Sequence, residues 1–278
     1  MVNFNGSIIS QNDCQWSQNR AFLYGDGVFE TVKIVNSKIL FLEDHYFRLM
    51  ASMRVLRMEI PMHFTMEFLE EEIISLALKN EMSSSARARI TVYRNSGGYY
   101  LPQDQSVSYV IQVVPIENIL YSIEEKKYEV DLYKDFYISK QLLSSIKSTN
   151  KIINITGSIY ANENGLDNCI LLNDSKNVTE ALQGNIFMVQ GNKLTTPPIS
   201  EGCLNGIMRK QILQVAKKIE GIEVYEEIIS PFDLQKADEL FVTNVIKGIQ
   251  PITQYRKKTY ISKITAQLLD EINKLIKI

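Results

Sequence analysis

Lys147 lies in residues 144–150, at the junction between a hydrophobic stretch and a predicted helix. Most lysines are solvated surface charges, and the position alone is better explained that way. A lysine at such a junction can instead be desolvated, which lowers its pKa and makes its neutral amine reactive toward carbonyl groups. The chemistry that this residue could supply is therefore the formation of a Schiff base.

Glu180 lies in a predicted turn that leads into an apolar strand. A single glutamate in a turn usually faces solvent. The functional alternative is a carboxylate that points inward at a cationic ring nitrogen, where the opposite charge would keep that nitrogen protonated.

Two positions could bind an anion. Residues 205–208 precede a predicted helix, and a helix N-terminus presents free N–H groups and the positive end of the helix dipole. An ordinary Asn-Gly turn before a helix explains the same residues equally well. Arg48 could bind a phosphate with two hydrogen bonds or pair with a surface carboxylate. Neither GxGxxG nor GxxxxGK[ST] occurs, so nucleotide-binding loops are not indicated.

The composition is that of a packed globular protein, with 278 residues, 45% hydrophobic and 22% charged. A net charge of −2 gives no field that would attract nucleic acid or an anionic membrane. No apolar run approaches the length of a membrane span, and residues 1–10 lack the features of a leader, so a cytoplasmic protein is expected. The two histidines and the scattered Cys14, Cys169 and Cys203 predict no metal site and no disulfide.

The elements that must position these residues alternate between helix and strand, which indicates a mixed α and β fold. Strands are predicted at 27–34, 86–93 and 107–115, with a helix at 43–57. Residues 117–128 are polar and lack periodicity, so we predict a linker there and a domain boundary near residue 120, giving domains 1–120 and 121–278. The second part has predicted helices over 148–162 and 208–219, the second followed by Gly221 in a C′ position, and strands over 169–172, 184–189 and 238–245.

Five ordered segments together resemble the class IV aminotransferases, the pyridoxal-phosphate enzymes of fold type IV. They are the Y-G-D-G-V-F-E-T at 24–31, the H-x-x-R-L at 45–49, the I-K-S at 146–148, the V-T-E to N-I-F at 178–187 and the L-T-T-P-P at 194–198. The resemblance covers nearly the whole chain. It implies an α+β fold with a small α/β N-terminal domain, a larger C-terminal domain with a barrel-like β core, and a homodimer.

The resemblance also implies roles for individual residues. Lys147 would carry pyridoxal 5'-phosphate and move the proton at the substrate α position, and Glu180 would face the pyridine nitrogen. Arg48 and the backbone N–H groups of Ile207 and Met208 would bind the phosphate.

The family includes branched-chain aminotransferases, D-amino-acid aminotransferases and 4-amino-4-deoxychorismate lyases. Three segments resemble the lyase: N-G-I-M-R at 205–209, the segment around Asn244, which is also a candidate cofactor contact, and the loop that follows Arg94. Phe29 stands in an F-E-T that is closer to the aminotransferases, and Lys151 replaces the tyrosine of the branched-chain enzymes.

The expected reaction is conversion of 4-amino-4-deoxychorismate to 4-aminobenzoate and pyruvate, a step toward folate. Transfer of an amino group from a branched-chain L-amino acid or a D-amino acid to a 2-oxo acid is the alternative. Arg94 and Lys247 are candidate partners for substrate carboxylates, and Phe29 is a further candidate substrate contact. Each of the two cations could equally be a surface charge.

Overall fold

The structure, a computed structural model, describes residues 2–4, 7–10, 15–124 and 126–276; Cys14 lies outside these ranges. The strands of the described residues, numbered in chain order, are β1 (Val2–Phe4), β2 (Ser7–Ile9), β3 (Gly27–Val35), β4 (Lys38–Ile39), β5 (Ser85–Arg94), β6 (Val107–Pro115), β7 (Glu129–Ile138), β8 (Asn168–Asn173), β9 (Val178–Ala181), β10 (Asn185–Gln190), β11 (Lys193–Thr196), β12 (Glu223–Glu226), β13 (Glu239–Asn244), β14 (Gly248–Ile252), β15 (Gln254–Tyr255) and β16 (Lys258–Thr259).

Helices connect these strands and cover the sheets. Within the described ranges the α-helices are α1 (Arg20–Tyr24), α2 (Leu42–Val55), α3 (Met66–Lys79), α4 (Leu142–Ser145), α5 (Ile152–Glu163), α6 (Ile207–Ala216), α7 (Pro231–Leu234) and α8 (Lys263–Lys274). None of these helices is long and apolar enough to cross a membrane.

The N-terminal sheet is antiparallel, with strand order β4-β3-β5-β6. The alternation predicted for β5 is confirmed. Its small and apolar side chains are buried in clusters that α2 and α3 help to form, and they are Ala86, Ala88, Ile90 and Val92. Because side chains alternate across a strand, Arg87 and Arg89 point to the opposite face of the sheet.

Two five-stranded sheets follow, with orders β16-β15-β7-β8-β9 and β12-β11-β10-β13-β14. Side chains of both sheets meet in one buried cluster, which includes Ile170 on β8 and Ile186 on β10. A bridge between Ala181 and Gly184 joins the two sheets at one edge. The two sheets therefore enclose a shared core, which is the barrel-like arrangement that the resemblance implied.

The predicted linker contains one residue that the polarity of residues 117–128 did not indicate. Tyr121 is buried, and its hydroxyl donates to the carbonyl oxygen of Val245 at 2.7 Å. Asn273 of α8 bonds to both backbone groups of Tyr121. This aromatic side chain thus anchors the segment to the second half of the chain, and the boundary near residue 120 stays a prediction.

Two predicted helix bounds were wrong. Residues 148–151 are not helical, because residues 147–149 run alongside β3: the Phe29 N–H donates to the Lys147 carbonyl at 2.8 Å, and the Thr149 N–H donates to the Gly27 carbonyl at 2.9 Å. Helix α6 ends before Ile219, so Gly221 does not cap it as predicted.

Candidate active site

A cavity of about 440 Å³ lies between the N-terminal sheet and the two sheets of the barrel-like core. It brings together all but one of the residues predicted to act in a site. The predicted residues that line it are Phe29, Arg48, Lys147, Glu180, Ile207, Met208, Asn244 and Lys247. Arg94 lies outside this cavity.

Lys147 reaches the cavity from the extended segment that pairs with β3. Its Nζ lies 4.6 Å from the centroid of the Phe29 ring. Burial lowers the pKa of Lys147 to about 7, and the positive charge of Arg48 adds to the effect. A large fraction of this amine is therefore neutral at pH 7, which is the form that attacks a carbonyl carbon.

Glu180, on β9, faces the same cavity as Lys147 and Lys151. One of its carboxylate oxygens accepts a hydrogen bond from the Leu204 N–H at 2.8 Å. Burial raises the pKa of Glu180, and the backbone hydrogen bond and the two lysines oppose that rise. Lys151, the residue before α5, has its own pKa lowered by burial. The Glu180 carboxylate is therefore placed to form an ion pair with a cationic group of a ligand that enters the cavity.

Arg48 is fixed by a buried carboxylate. Its Nε and Nη2 donate to the two oxygens of Glu30, each at 2.6 Å, and the second oxygen also lies 2.7 Å from Nδ1 of His45. Burial alone would raise the pKa of Glu30, but Arg48 and His45 hold it well below the usual range. Nη1 of Arg48 donates to the carbonyl of Asn205 at 2.8 Å. Arg48 thus ties α2 to the loop that precedes α6.

Helix α6 begins at the cavity with Gly206 as its N-cap and without a side-chain cap. A Cβ atom at Gly206 would lie 1.9 Å from Oδ1 of Asn185, so any other residue here would have to displace that buried side chain. Ile207 and Met208 form the first turn and line the cavity. Their backbone N–H groups are among those that a helix leaves without an internal partner, so this end of the cavity suits a phosphate.

Asn244 shapes the turn after β13. Its side-chain oxygen accepts from the N–H groups of Ile246 and Lys247 at 3.0 and 2.9 Å, and its amide donates to the carbonyl of Gln183. Lys247 is exposed at the rim, with Nζ 3.5 Å from an oxygen of Glu124. Its charge can therefore reach a ligand that enters the cavity.

Arg94 makes internal contacts and lines a cleft next to the cavity, so its predicted role at a substrate carboxylate stays a prediction. The side chain is buried, and its Nε donates to Asp26 at 3.0 Å. Its other nitrogens donate to the carbonyl oxygens of Leu56 and Arg57 and to the side chain of Gln105. These contacts tie the end of β5 to the segments that precede β3, follow α2 and precede β6.

Arg87 lines the cavity and was missed from the sequence. It has no ion pair or hydrogen bond to any described residue. Its neighbour on the same face of β5, Arg89, stacks on Phe29 with its guanidinium carbon 3.8 Å from the ring centroid. The alternation along β5 could have indicated Arg87, because it places the arginines of that strand on one face, and this face lines the cavity.

The cavity does not contain the side chains of a metal centre. Among the residues that the structure describes, no group of three or more His, Cys, Asp or Glu side chains could hold a metal ion. The charged groups of the cavity are amines, guanidinium groups and one carboxylate.

Comparison with known proteins places this site in a family. The model of the family "Amino-transferase class IV" matches residues 27–255. A putative branched-chain-amino-acid aminotransferase of Methanocaldococcus jannaschii is 28% identical, over 99% of this chain and 95% of that protein. A D-alanine aminotransferase of Listeria innocua is 29% identical, over 90% and 85% of the two chains. An aminodeoxychorismate lyase of Vibrio harveyi is 25% identical, over 92% and 94%.

Solved structures show the same fold. A branched-chain amino acid aminotransferase of Thermobaculum terrenum in its PLP form has a TM-score of 0.82 and 25% identity, covering 97% of this chain and 89% of that one. A putative 4-amino-4-deoxychorismate lyase of Legionella pneumophila has a TM-score of 0.83 and 24% identity, covering 93% and 94%. The expected fold type IV architecture is thereby confirmed.

Proposed function

Because the chain belongs to the class IV aminotransferase family, whose cofactor is pyridoxal 5'-phosphate, we propose that it is a lyase that acts on 4-amino-4-deoxychorismate. The products would be 4-aminobenzoate and pyruvate. Aminotransfer is the second candidate and uses the same catalytic residues.

The residues of the cavity fit the cofactor. The uncapped start of α6, where a Cβ atom at Gly206 has no room, suits its phosphate, and Arg48 lies beside that loop. Lys147 supplies an amine of lowered pKa, about 7, for its aldehyde, and Glu180 supplies a carboxylate for its ring nitrogen. When bound, pyridoxal phosphate supplies a sink for the electrons released when a bond at the amine-bearing carbon is broken.

The protein's part in the reaction follows from these positions. Lys147 removes the proton from the ring carbon that bears the amine of the substrate. The bond between the ring and the enolpyruvyl oxygen then breaks, the ring becomes aromatic, and the departing enolpyruvate takes up a proton at its methylene carbon to give pyruvate. Glu180 keeps the cofactor nitrogen protonated throughout, and no second substrate is needed.

The observation that carries the proposal is the pair of cations at the cavity, Arg87 and Lys247. Arg87 has no partner among the described residues, and Lys247 has only a long contact to Glu124 at a solvent-exposed rim. Aminodeoxychorismate carries two carboxylates, and a guanidinium binds a carboxylate well with two parallel hydrogen bonds. A branched-chain amino acid has only one carboxylate, so it would engage one of the two cations and leave the other without a ligand partner.

The second candidate rests on the relatives. Two of the three named above are described as aminotransferases, one for branched-chain amino acids and one for D-alanine. The donor would then be a branched-chain L-amino acid or a D-amino acid, whose single carboxylate could pair with one of the two cations.

The deciding experiment gives the holoenzyme each substrate class separately. With aminodeoxychorismate, we expect 4-aminobenzoate and pyruvate in equal amounts, and Lys147→Ala should abolish both. With a panel of L- and D-amino acids and no oxo acid, the absorption band of the bound cofactor should persist. Rapid loss of that band with one amino acid, without lyase activity, would establish the aminotransferase instead.

Arg87→Met tests the substrate contact. We expect the KM for aminodeoxychorismate to rise by about 10-fold or more, since a charge-assisted hydrogen bond contributes about 1.5–3 kcal/mol. Arg54→Met, on the exposed face of α2, is the matched control and should leave KM unchanged. An unchanged KM in Arg87→Met would remove Arg87 from substrate recognition.

Assembly and location are further parts of the proposal. A cleft of about 550 Å³ adjoins the cavity, shares Lys151 and Glu180 with it, and has exposed apolar residues at its edge, among them Leu143 and Ile152. A second copy of the chain covering this edge would close the site, so we propose a homodimer. A small-molecule enzyme of this kind is proposed to act in the cytoplasm.

A further inference from the structure

Lys33, on β3, is a buried amine that the proposed reaction does not use. Only 1% of the residue is exposed, and the side chain has no ion pair or hydrogen bond to any described residue. Its Nζ lies 4.1 Å from the centroid of the Tyr121 ring. Burial lowers the pKa of Lys33 to about 8, so most of the amine is still charged at pH 7. The Tyr121 ring stabilises the ammonium through a cation–π contact, but it supplies no hydrogen-bond acceptor, so the N–H groups of Lys33 remain without an acceptor among the described residues.

The Lys33 side chain lines a second cavity, of about 60 Å³, that is separate from the active site. Its lining combines the exposed polar residues Asn118, Ser122 and Glu124 with apolar residues that include Ile116 and Leu120. A volume of this size holds about four to six waters, given that one water needs roughly 10–15 Å³ of such space. A ligand of four or five heavy atoms would therefore fill it.

The cavity is held open by rigid walls. Tyr121 is fixed by its hydroxyl bond to Val245 and by the two backbone bonds to Asn273. Gly248 packs so closely on the ring that a Cβ atom there would lie 2.6 Å from Cγ of Tyr121. These contacts fix the ring in its position against Lys33, so it cannot move further into the cavity that both residues line.

The charges around the cavity favour an anion. Glu124 is the acidic residue in its lining, and it already contacts Lys126 at 2.5 Å and Lys247 at 3.5 Å. Lys33 therefore keeps an unneutralised positive charge at the buried end of the cavity. The amide of Asn118 and the hydroxyl of Ser122 are available as additional donors at its mouth.

We propose that Lys33 and its cavity form a binding site for a small oxyanion, a carboxylate or phosphate group, distinct from the cofactor and substrate sites. The oxyanion would accept hydrogen bonds from the Lys33 ammonium and from the polar groups at the mouth. It would replace the water that otherwise accompanies the buried charge.

The experiment measures anion binding to the cofactor-saturated enzyme, in which the cofactor's own phosphate occupies the start of α6. Calorimetric titration with inorganic phosphate, and separately with formate, should show saturable binding with a stoichiometry near one. The stronger of the two probes identifies the oxyanion. Glu124→Gln should bind more tightly, because the mouth loses a negative charge.

Lys33→Met is the decisive variant and should lose this binding while keeping the cofactor absorption band. Lys38→Met, on the exposed face of the same hairpin, is its control and should bind like the natural protein. Equal binding by Lys33→Met, or titrations that do not saturate at millimolar anion, would overturn the proposal. Neither result would bear on the lyase reaction, which is measured by product formation.

Discussion

Burial sets the charge of the reactive side chains in this protein. Lys147 and Lys151 both lie in a cavity where water is scarce, and the charged form of an amine is disfavoured there. Glu180 experiences the opposite effect on its carboxylate. The site can therefore hold a neutral nucleophile beside a carboxylate at neutral pH.

This effect predicts the pH dependence of cofactor uptake by the cofactor-free protein. The neutral amine of Lys147 attacks the aldehyde, and its pKa is about 7. The rate at which the cofactor band appears should thus rise as pH increases through about 7 and level off above it. Stopped-flow absorbance measures this rate. A midpoint above pH 9 would contradict the desolvated lysine, and Lys151→Met should move the midpoint upward by removing a neighbouring positive charge.

At this scale the sequence indicated the residues that stand in specific motifs, whereas its results for isolated cations differ: Lys247 lines the cavity, Arg94 lines the adjoining cleft, and Arg87 was missed. Lys147, Glu180 and Arg48 stand in ordered motifs and do line one cavity. Arg94 and Arg87 stand on the same strand, and sequence alone did not show which guanidinium is occupied by backbone carbonyls and which is free. That depends on the neighbouring loops, which come close only in the folded chain.

Helix α6 provides the binding end of the site because its N-cap has no side chain. Gly206 has an ordinary negative φ of −73°, so the requirement for glycine comes from the space beside Asn185 rather than from the backbone angle.

Gly206→Ala should therefore push Asn185 aside and distort the first turn of α6. We expect a loss of about 1–3 kcal/mol in the free energy of unfolding, as for other overpacked sites, and weaker binding of pyridoxal phosphate. Urea unfolding and cofactor titration measure the two effects. Gln214→Ala, on the exposed side of α6, should change neither, and a Gly206→Ala variant with natural cofactor affinity would refute this account of the helix start.

Periodicity predicted the strands and most helix bounds well, and it failed where tertiary pairing replaced local preference. Residues 148–151 could continue the helical pattern of α5, but the backbone at Lys147 and Thr149 bonds to β3 instead. This pairing fixes the direction of the Lys147 side chain. The error in the predicted helix start thus coincides with the reactive residue.

The whole molecule leaves an apolar stripe on α5 uncovered. Ile152, Ile155 and Ile159 lie on one side of the helix and are each more than half exposed. Stripes of this kind mark interaction surfaces. Their position after Lys147 and Lys151 places the stripe next to the open side of the active site.

Ile155→Glu should therefore shift the proposed homodimer toward monomer, because it would bury a charge in the interface. Light scattering coupled to gel filtration measures the mass at several protein concentrations. Leu78→Glu provides a matched control on α3, since both side chains are 54% exposed. If the two variants have the same mass as the natural protein, the dimer does not use the α5 stripe.

The turn after β13 separates the active-site cavity from the Lys33 cavity. Ile246 and Lys247 line the active-site cavity on one side and the Lys33 cavity on the other. If an oxyanion beside Lys33 changes the affinity of the active site for substrate by some factor, substrate must change the affinity of the Lys33 cavity for the oxyanion by the same factor. The single turn of backbone between the two cavities is the element through which such coupling would act.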